Sequence, residues 1–138
     1  MLVVILLDNE RPNQKTMIVK TKIKDNILSS KICATPDQIE NGMMDKTFEG
    51  FDSMVFLMNG KSHSFWMKNC IIPLDIIFIK NNVVNKIHHD CPPCNSDQCE
   101  SYTGVGNIVL ELPGGYCQDH NIKEGDRFVI YSDSVSTP

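Results

Sequence analysis

The stretch that decides the fold is residues 16–24, which read TMIVKTKIK. Its side chains alternate with a period of two, so that Met17, Val19, Thr21 and Ile23 fall on one side and Ile18, Lys20, Lys22 and Lys24 on the other. Such alternation indicates a β-strand with one buried face and one solvent-facing face. Similar segments recur along the chain and predict further strands at 27–33, 53–57, 62–66, 74–79, 83–88, 107–112 and 127–131.

Two turn signals lie between these predicted strands. Asn59-Gly60 and Asn81-Asn82 are residue pairs that tolerate the positive φ angles of tight turns. The sequence therefore predicts two hairpins, over 53–66 and 74–88.

One helix start is well marked in the sequence. Thr35 can cap the first turn while Gln38 bonds back to it, which is a capping box. Gly42 can end the helix in a left-handed conformation, so we predict a helix over 36–41. A further helical turn is predicted after Gly115.

The number and spacing of the strands favour a mainly β sandwich or partly closed barrel with one or two short helices. At 138 residues the chain is predicted to be a single domain, with a mobile tail at 132–138. The apolar run 2–7 is predicted to be a strand, because a signal peptide or membrane span needs more length and different flanks. The chain as given shows neither, although processing could have removed a signal, and its location stays open.

Charge and composition exclude several classes of function. The net charge is −4 and no block of basic residues occurs, so we expect no nucleic-acid partner. Hydrophobic residues make up 41% and charged residues 22%, which is typical of a soluble globular chain and not of a membrane protein.

The densest group of polar and aromatic side chains lies at 65–75, which reads FWMKNCIIPLD. Trp66 could stack on a ligand while Lys68, Asn69 and Asp75 orient it, as at the rim of a pocket. The ordinary alternative is that the tryptophan is core, the lysine is solvated, and the other two bond to turn backbone.

A second carboxylate stands out at Glu111, inside the apolar strand predicted at 107–112. A buried carboxylate is costly unless it is paired or faces a pocket. Asp75 and Glu111 could therefore act as an acid–base pair, or both could form structural pairs.

Several short motifs stand in a fixed order: Gly42-Met43-Met44, FWMKN at 65–69, IPLD at 72–75, Pro92-Pro93-Cys94 with Cys99 and Tyr102, VLELPGG at 109–115, and Gly125-Asp126. In order and spacing they resemble the family called domain of unknown function 192, over about residues 27–131. The resemblance implies a mainly β, jelly-roll-like fold with no established activity. Residues 1–26 lie outside it and are predicted to add N-terminal strands. Cys70 departs from the family's usual Thr, Met43 from its frequent Leu, and Cys91 is extra.

The chain has six cysteines, and those at 91, 94 and 99 follow a His-His-Asp sequence. Thiols and imidazoles are donors that zinc prefers, but a second C-x-x-C pair is missing. A loop disulfide between Cys94 and Cys99 is favoured, with free thiols and metal or redox chemistry as alternatives. The resemblance carries Cys94 and Cys99 but not Cys91, which supports the disulfide. Cys33, Cys70 and Cys117 are expected in the core.

No hydrolase, kinase, zincin or dehydrogenase motif occurs, and neither a metal nor a cofactor is predicted. We expect a non-enzymatic binding module whose partner is a small polar ligand, an extended chain segment or another protein. The expected ligand-binding residues are Trp66, Lys68, Asn69, Asp75 and Glu111. The alternatives are an enzyme using Asp75 and Glu111, or a purely structural or interaction protein, as a monomer or homodimer.

Methionines at 43, 44, 54, 58 and 67 could line an apolar groove, although core packing is the simpler reading.

Overall fold

The structure, a computed structural model, describes residues 17–131. In this range the chain forms strands β1 (Ile18–Ile23), β2 (Asn26–Cys33), β3 (Ser53–Leu57), β4 (Ser62–Phe65), β5 (Leu74–Lys80), β6 (Val83–Cys91), β7 (Tyr102–Val105), β8 (Ile108–Pro113) and β9 (Phe128–Ile130). The helices are α1 (Pro36–Asn41) and α2 (Tyr116–Asp119). Neither of them is long and apolar enough to cross a membrane. The strand predicted at 2–7 and the tail at 132–138 lie outside the described residues.

Seven strands form one sheet in the order β6-β5-β8-β3-β2-β1-β9, and β4 pairs with β7 in a second, smaller sheet. In the large sheet the described pairs are antiparallel except β2 with β3. Its edge strands approach each other, because Phe128 N–H donates to Asn82 O at 2.9 Å and Val84 N–H donates to Asp126 O at 2.8 Å. The predicted mainly β fold is therefore confirmed as a curled half-barrel, and a jelly-roll-like arrangement stays a prediction.

Apolar side chains cover both faces of the large sheet. One cluster draws on all seven strands, as the concave face of a curled sheet must: Ile23, Leu28, Val55, Ile77, Val84, Leu110 and Phe128 are among its members. A second cluster lies on the other face, under the small sheet, and includes Met54, Phe56, Ile76, Phe78 and Val109. Because β5 is covered on both faces, it is buried at nearly every position instead of alternating.

Local sequence signals predict several elements correctly. Helix α1 has the predicted bounds and capping box: Gln38 N–H donates to Thr35 Oγ1 at 3.2 Å, and Thr35 N–H donates to Gln38 Oε1 at 3.1 Å. The helical turn after Gly115 is present as α2. The hairpin of β5 and β6 turns at Asn81 and Asn82, both with positive φ.

Two predictions about strand pairing need correction. The hairpin predicted over 53–66 is wrong, because β3 pairs with β2 and β8 while β4 pairs with β7. Asn59-Gly60 does turn the chain, but it directs the chain from the large sheet to the small one. Strand β7 was not predicted, since Tyr102–Val105 is a short segment with a glycine and little alternation.

Asp75 organises the end of β5. Its carboxylate is fully buried and accepts three backbone N–H bonds, from Asp90 at 2.7 Å, Gly115 at 3.0 Å and Cys117 at 2.8 Å. These donors come from the end of β6 and the start of α2, so one side chain joins three segments. Bonds to a charged acceptor are stronger than neutral ones, which compensates for burying the charge.

We expect Asp75→Asn to lower the free energy of unfolding by about 2–4 kcal/mol, because it removes the charge and turns an amide donor toward N–H groups. Urea unfolding measures the change. Asp126→Asn is the matched control, since Asp126 accepts one N–H bond, from Lys123 at 2.7 Å, near the surface. Equal losses in the two variants would contradict this role for Asp75.

The predicted disulfide joins Cys94 to Cys99, with 5.9 Å between their Cα atoms. The loop is bonded to the connection between β4 and β5: Asn69 N–H donates to Cys94 O at 2.8 Å and Cys94 N–H donates to Met67 O at 3.2 Å. The disulfide therefore closes a loop whose backbone is hydrogen-bonded to residues 67–69.

Removing the disulfide with Cys94→Ser and Cys99→Ser is expected to lower the unfolding free energy by about 2 kcal/mol, the loop-closure entropy of so short a loop. Thermal unfolding and mass spectrometry without reductant check this. Reductant should destabilise the wild type but not the double variant. Recovery of both residues as free thiols from protein never exposed to reductant would contradict the linkage.

Candidate functional site

A cavity of about 170 Å³ lies between α1, strand β4 and the face of the large sheet that the small sheet covers. Helix α1 and the turn after it form one wall, and β4 with the residues that follow it forms the opposite wall. Phe56 of β3 and Glu111 of β8 come from the sheet and close the base. The site is therefore assembled from segments far apart in the sequence.

The turn after α1 can pass close to the sheet because of Gly42. This glycine has φ +39°, and a Cβ at its position would lie 3.2 Å from the ring of Phe56. A side chain here would force the helix wall away from the sheet. Met43 and Met44 then both line the cavity, Met43 from a buried position, and the backbone of Met44 is bridged to Cys70 on the opposite wall.

The walls are mostly apolar and rich in sulfur and aromatic rings. Phe65 packs edge-to-face on Phe56, with 5.1 Å between ring centroids. Met43, Met44 and Met58 also line the cavity, whereas Met54 and Met67 do not. Core packing, the simpler of the two readings, holds for Met43, Met54 and Met67, which are buried, although Met43 also contributes to the cavity lining.

Glu111 is the unusual group of the site. Its strand pairs with β3 and β5, opposite Met54 and Ile76, so the residue sits in the middle of the sheet and is only 4% exposed. Burial raises the pKa of this carboxyl to about 8, and no donor or cation among residues 17–131 offsets the rise. Among residues 17–131, every fully buried side-chain oxygen has a hydrogen-bond partner. Since the Glu111 carboxyl has none in this range, its oxygens must be accessible, and they open onto the cavity that the residue lines.

Trp66 and Lys68 of the 65–75 motif line the outer edge of the cavity, and their role in ligand binding stays a prediction. Trp66 is 47% exposed, so one part of the ring remains available for contact. Lys68 Nζ donates to Ser96 O at 2.8 Å and lies 3.5 Å from Asp97 Oδ1, on the disulfide loop. The lysine is therefore directed toward that loop, and it lines the cavity with its chain.

Two predicted site residues do not reach the cavity. Asn69 is exposed with φ +60°, and its backbone bonds to Cys94 and Asp45. Asp75 lies in the same strand pair as Glu111, but Asp75 pairs with Leu112 while Glu111 pairs with Ile76. Since neighbouring residues of a strand point to opposite faces, the two carboxylates are on opposite sides of the sheet. The structure does not bring them together as the acid–base pair that was the alternative reading.

Other lining residues escaped prediction: Ile39, Glu40, Asn41, His63, Ser64 and Cys70. Most of them lie on α1 and β4, whose approach depends on how the chain crosses between the sheets. The closest sequence signal was the pair of methionines after Gly42.

The four free cysteines are all buried, as expected for Cys33, Cys70 and Cys117, and Cys91 joins them. Burial raises the pKa of the Cys70 thiol to about 12 and that of Cys33 to about 11, so both stay protonated near neutral pH. Within residues 17–131, no three His, Cys, Asp or Glu side chains are arranged to hold a metal ion.

A second concavity, of about 490 Å³, is lined by Ile87, His89, Cys117, Gln118 and residues 121–124. Its charged side chains, Lys123 and Glu124, are exposed. Exposed charged side chains are solvated by water and need no ligand. Asp75, the buried carboxylate that bonds to Cys117 N–H, already accepts three backbone hydrogen bonds. The cavity at Glu111 is the better candidate.

Comparison with solved structures shows the same fold in two proteins from bacteria. A protein provisionally named a transcription regulator, from Sinorhizobium meliloti, superposes with a TM-score of 0.75 at 23% identity, covering 84% of this chain and 95% of its own. A protein of unknown function from Novosphingobium aromaticivorans gives a TM-score of 0.71 at 31% identity, covering 80% of this chain and 84% of its own. No curated protein matches the chain.

A family model described as "Uncharacterized ACR" matches residues 17–130. This match covers most of the chain and nearly all of the described residues. It agrees with the resemblance carried by the motifs at 65–75 and 109–115, but it begins at residue 17 instead of about residue 27, so that β1 lies inside the family region. The chain belongs to the DUF192 family.

Proposed function

We propose that this protein is a binding module and that the cavity beneath Trp66 holds a small polar molecule. The observation that carries the proposal is the carboxyl of Glu111, which is buried at the base of the cavity and has no hydrogen-bond or charge partner among residues 17–131. Burying a carboxyl without a hydrogen-bond partner lowers the stability of the fold, and a ligand that bonds to the carboxyl would supply the missing partner.

The other buried polar groups of the fold show how unusual Glu111 is. Thr21 and Ser30 bond to each other through their hydroxyls at 2.8 Å, and Ser30 bonds in turn to Ser53. Asp75 has three backbone donors. Among the buried polar residues of the described chain, only Glu111 lines a cavity instead of bonding to a protein partner.

The outer part of the cavity suits the apolar side of such a ligand. Trp66 offers a partly exposed ring, and Phe65 and Met58 continue the apolar surface inward. A ligand with a hydrogen-bonding group at one end would reach Glu111 while the remainder contacts these side chains. This division between a few polar groups and apolar walls is common in small-molecule sites.

The size of the cavity favours a small molecule over an extended segment. Its volume of about 170 Å³ is below the roughly 300–1,000 Å³ of drug-sized ligand sites. An acid–base enzyme is less well supported, because Asp75 is on the opposite face from Glu111. Nucleic-acid binding is not proposed, since the net charge is −4.

Glu111→Gln should remove a pH-dependent loss of stability. The folded protein keeps the Glu111 proton from the ordinary pKa of 4.5 up to about 8, whereas the unfolded chain releases it, so stability falls as pH rises through this window. Between pH 5 and pH 8 the wild type should lose on the order of 3 kcal/mol more than the variant. Urea unfolding at several pH values measures this.

Glu49→Gln is the matched control, because Glu49 is an exposed carboxylate outside the cavity. It should follow the wild-type profile. A Glu111→Gln variant that is less stable than the wild type at pH 8 would show a structural pairing of Glu111 and would refute its assignment to a ligand site.

Screening small alcohols, amides, amines and sugars by NMR on isotope-labelled protein should give hits whose shifts cluster around the cavity. Trp66→Ala should weaken such hits roughly five- to tenfold, through lost stacking and apolar contact. Ile71→Ala is the control, because Ile71 is 55% exposed and does not line the cavity. Hits that map elsewhere, or that ignore Trp66→Ala, would count against the proposed site.

A further inference from the structure

The charges around the cavity leave one position unbalanced. Lys68 is directed to Ser96 and Asp97, and Lys46 donates to the backbone O of Gly42 at 3.0 Å. Within residues 17–131, neither cation is engaged with Glu111. The site therefore contains an acid at its base without a counter-charge.

The remaining titratable groups that face the site do not supply a positive charge. Burial and the charge of Glu111 raise the pKa values of the thiols Cys33 of β2 and Cys70 after β4. Lys46 lowers both values and Lys31 lowers that of Cys33, but neither lysine shifts the pKa of Glu111 itself. Glu40 of α1 lines the cavity and adds a second carboxylate. His63 of β4 bonds through Nε2 to Asn59 Oδ1 at 2.7 Å. The balance of the lining thus favours a positive occupant.

The walls favour a cation of a particular kind. The rings of Phe56, Phe65 and Trp66 and the thioether of Met58 line the cavity. The faces of aromatic rings attract cations, and apolar walls make favourable contacts with the carbon groups of an organic cation. A small inorganic ion instead needs several oxygen ligands. An alkylammonium ion combines both features.

We propose that the occupant of this cavity is a small organic cation, an alkylammonium group that places its nitrogen beside Glu111 and its carbon chain against Phe65 and Trp66. This rests on the proposed binding function and specifies its ligand class. Binding to the protonated site releases the Glu111 proton to solvent, so that a neutral carboxyl and a free cation become an ion pair and a hydrated proton. Affinity for the cation therefore rises with pH until the carboxyl is ionised in the free protein.

The experiment compares three probes of matched length: butylammonium, 1-butanol and butyrate. An alkylammonium, like lysine, keeps its charge to about pH 10, so the ligand does not titrate below pH 9. Fluorescence of Trp66, the single tryptophan of the chain, and NMR shifts of cavity residues report binding. At pH 8.5 butylammonium should bind at least tenfold more tightly than butanol, and butyrate should bind most weakly.

From pH 6 to pH 8.5 the butylammonium affinity of the wild type should rise by a factor of roughly ten to one hundred, as expected for binding to a carboxylate whose free pKa is about 8. Glu111→Gln should lose both the preference for the cation and this pH dependence. Glu49→Gln, at an exposed position outside the cavity, should keep both. A pH dependence that disappears in His63→Gln and persists in Glu111→Gln would overturn the proposal.

The outcomes separate this proposal from the proposed function. If butanol binds in the cavity as well as butylammonium does, the cation is wrong and the small-molecule site stands. If none of the three probes shifts the NMR signals of cavity residues while other polar molecules do, the cation proposal again fails and the small-molecule site again stands. If no small molecule binds there at all, both proposals fail. Because the wild-type pH series needs no variant, the test remains decisive even if Glu111→Gln folds poorly.

Discussion

The antiparallel register of β5 against β8 is the constraint on which the molecule depends. Asp75 lies opposite Leu112 and Ile76 lies opposite Glu111, so two acids in adjoining strands face opposite sides of the sheet. A slip of one residue would move every side chain of the shifted strand to the opposite face of the sheet. The register is held because both faces are buried, with Leu110 in one apolar cluster and Val109 in the other.

The two acids show how environment decides the role of a carboxylate. Asp75 is buried completely but receives three backbone N–H bonds, and it thereby joins β5, the end of β6 and α2. Glu111 is buried almost as fully, yet a cavity takes the place of donors and its pKa rises to about 8. Both lie in apolar strands of the sequence, so position in the chain alone does not distinguish them. The difference comes from which segment covers each face: one face meets a turn with free N–H groups, and the other meets apolar side chains.

Local chemistry made the elements predictable, whereas pairing over long distances did not. The bounds of α1 follow from Thr35, Gln38 and Gly42, which interact within one helical turn. The β5–β6 hairpin follows from two asparagines, and the Cys94–Cys99 disulfide closes a short loop. By contrast, the parallel pairing of β2 with β3 and the pairing of β4 with β7 depend on segments that fold over the sheet. The cavity depends on that crossover. Trp66, Lys68 and Glu111 were therefore found as separate signals, and α1 and β4 were predicted as elements but not as the two walls of one site.

The disulfide loop has a further consequence for the geometry of the cavity. Backbone bonds to Cys94 hold Met67 and Asn69, and Lys68 reaches the same loop through Ser96. On the other side, Cys70 bridges to Met44 at the end of the α1 wall. Residues 67–70 are therefore anchored at both ends, one to a covalently closed loop and one to the opposite wall. Because Trp66 directly precedes this anchored segment, the orientation of its exposed ring relative to Glu111 is set by the loop and not by the β4 strand alone. A rigid edge of this kind lowers the entropy lost when a small ligand is held, which matters most in a cavity with few contacts to offer.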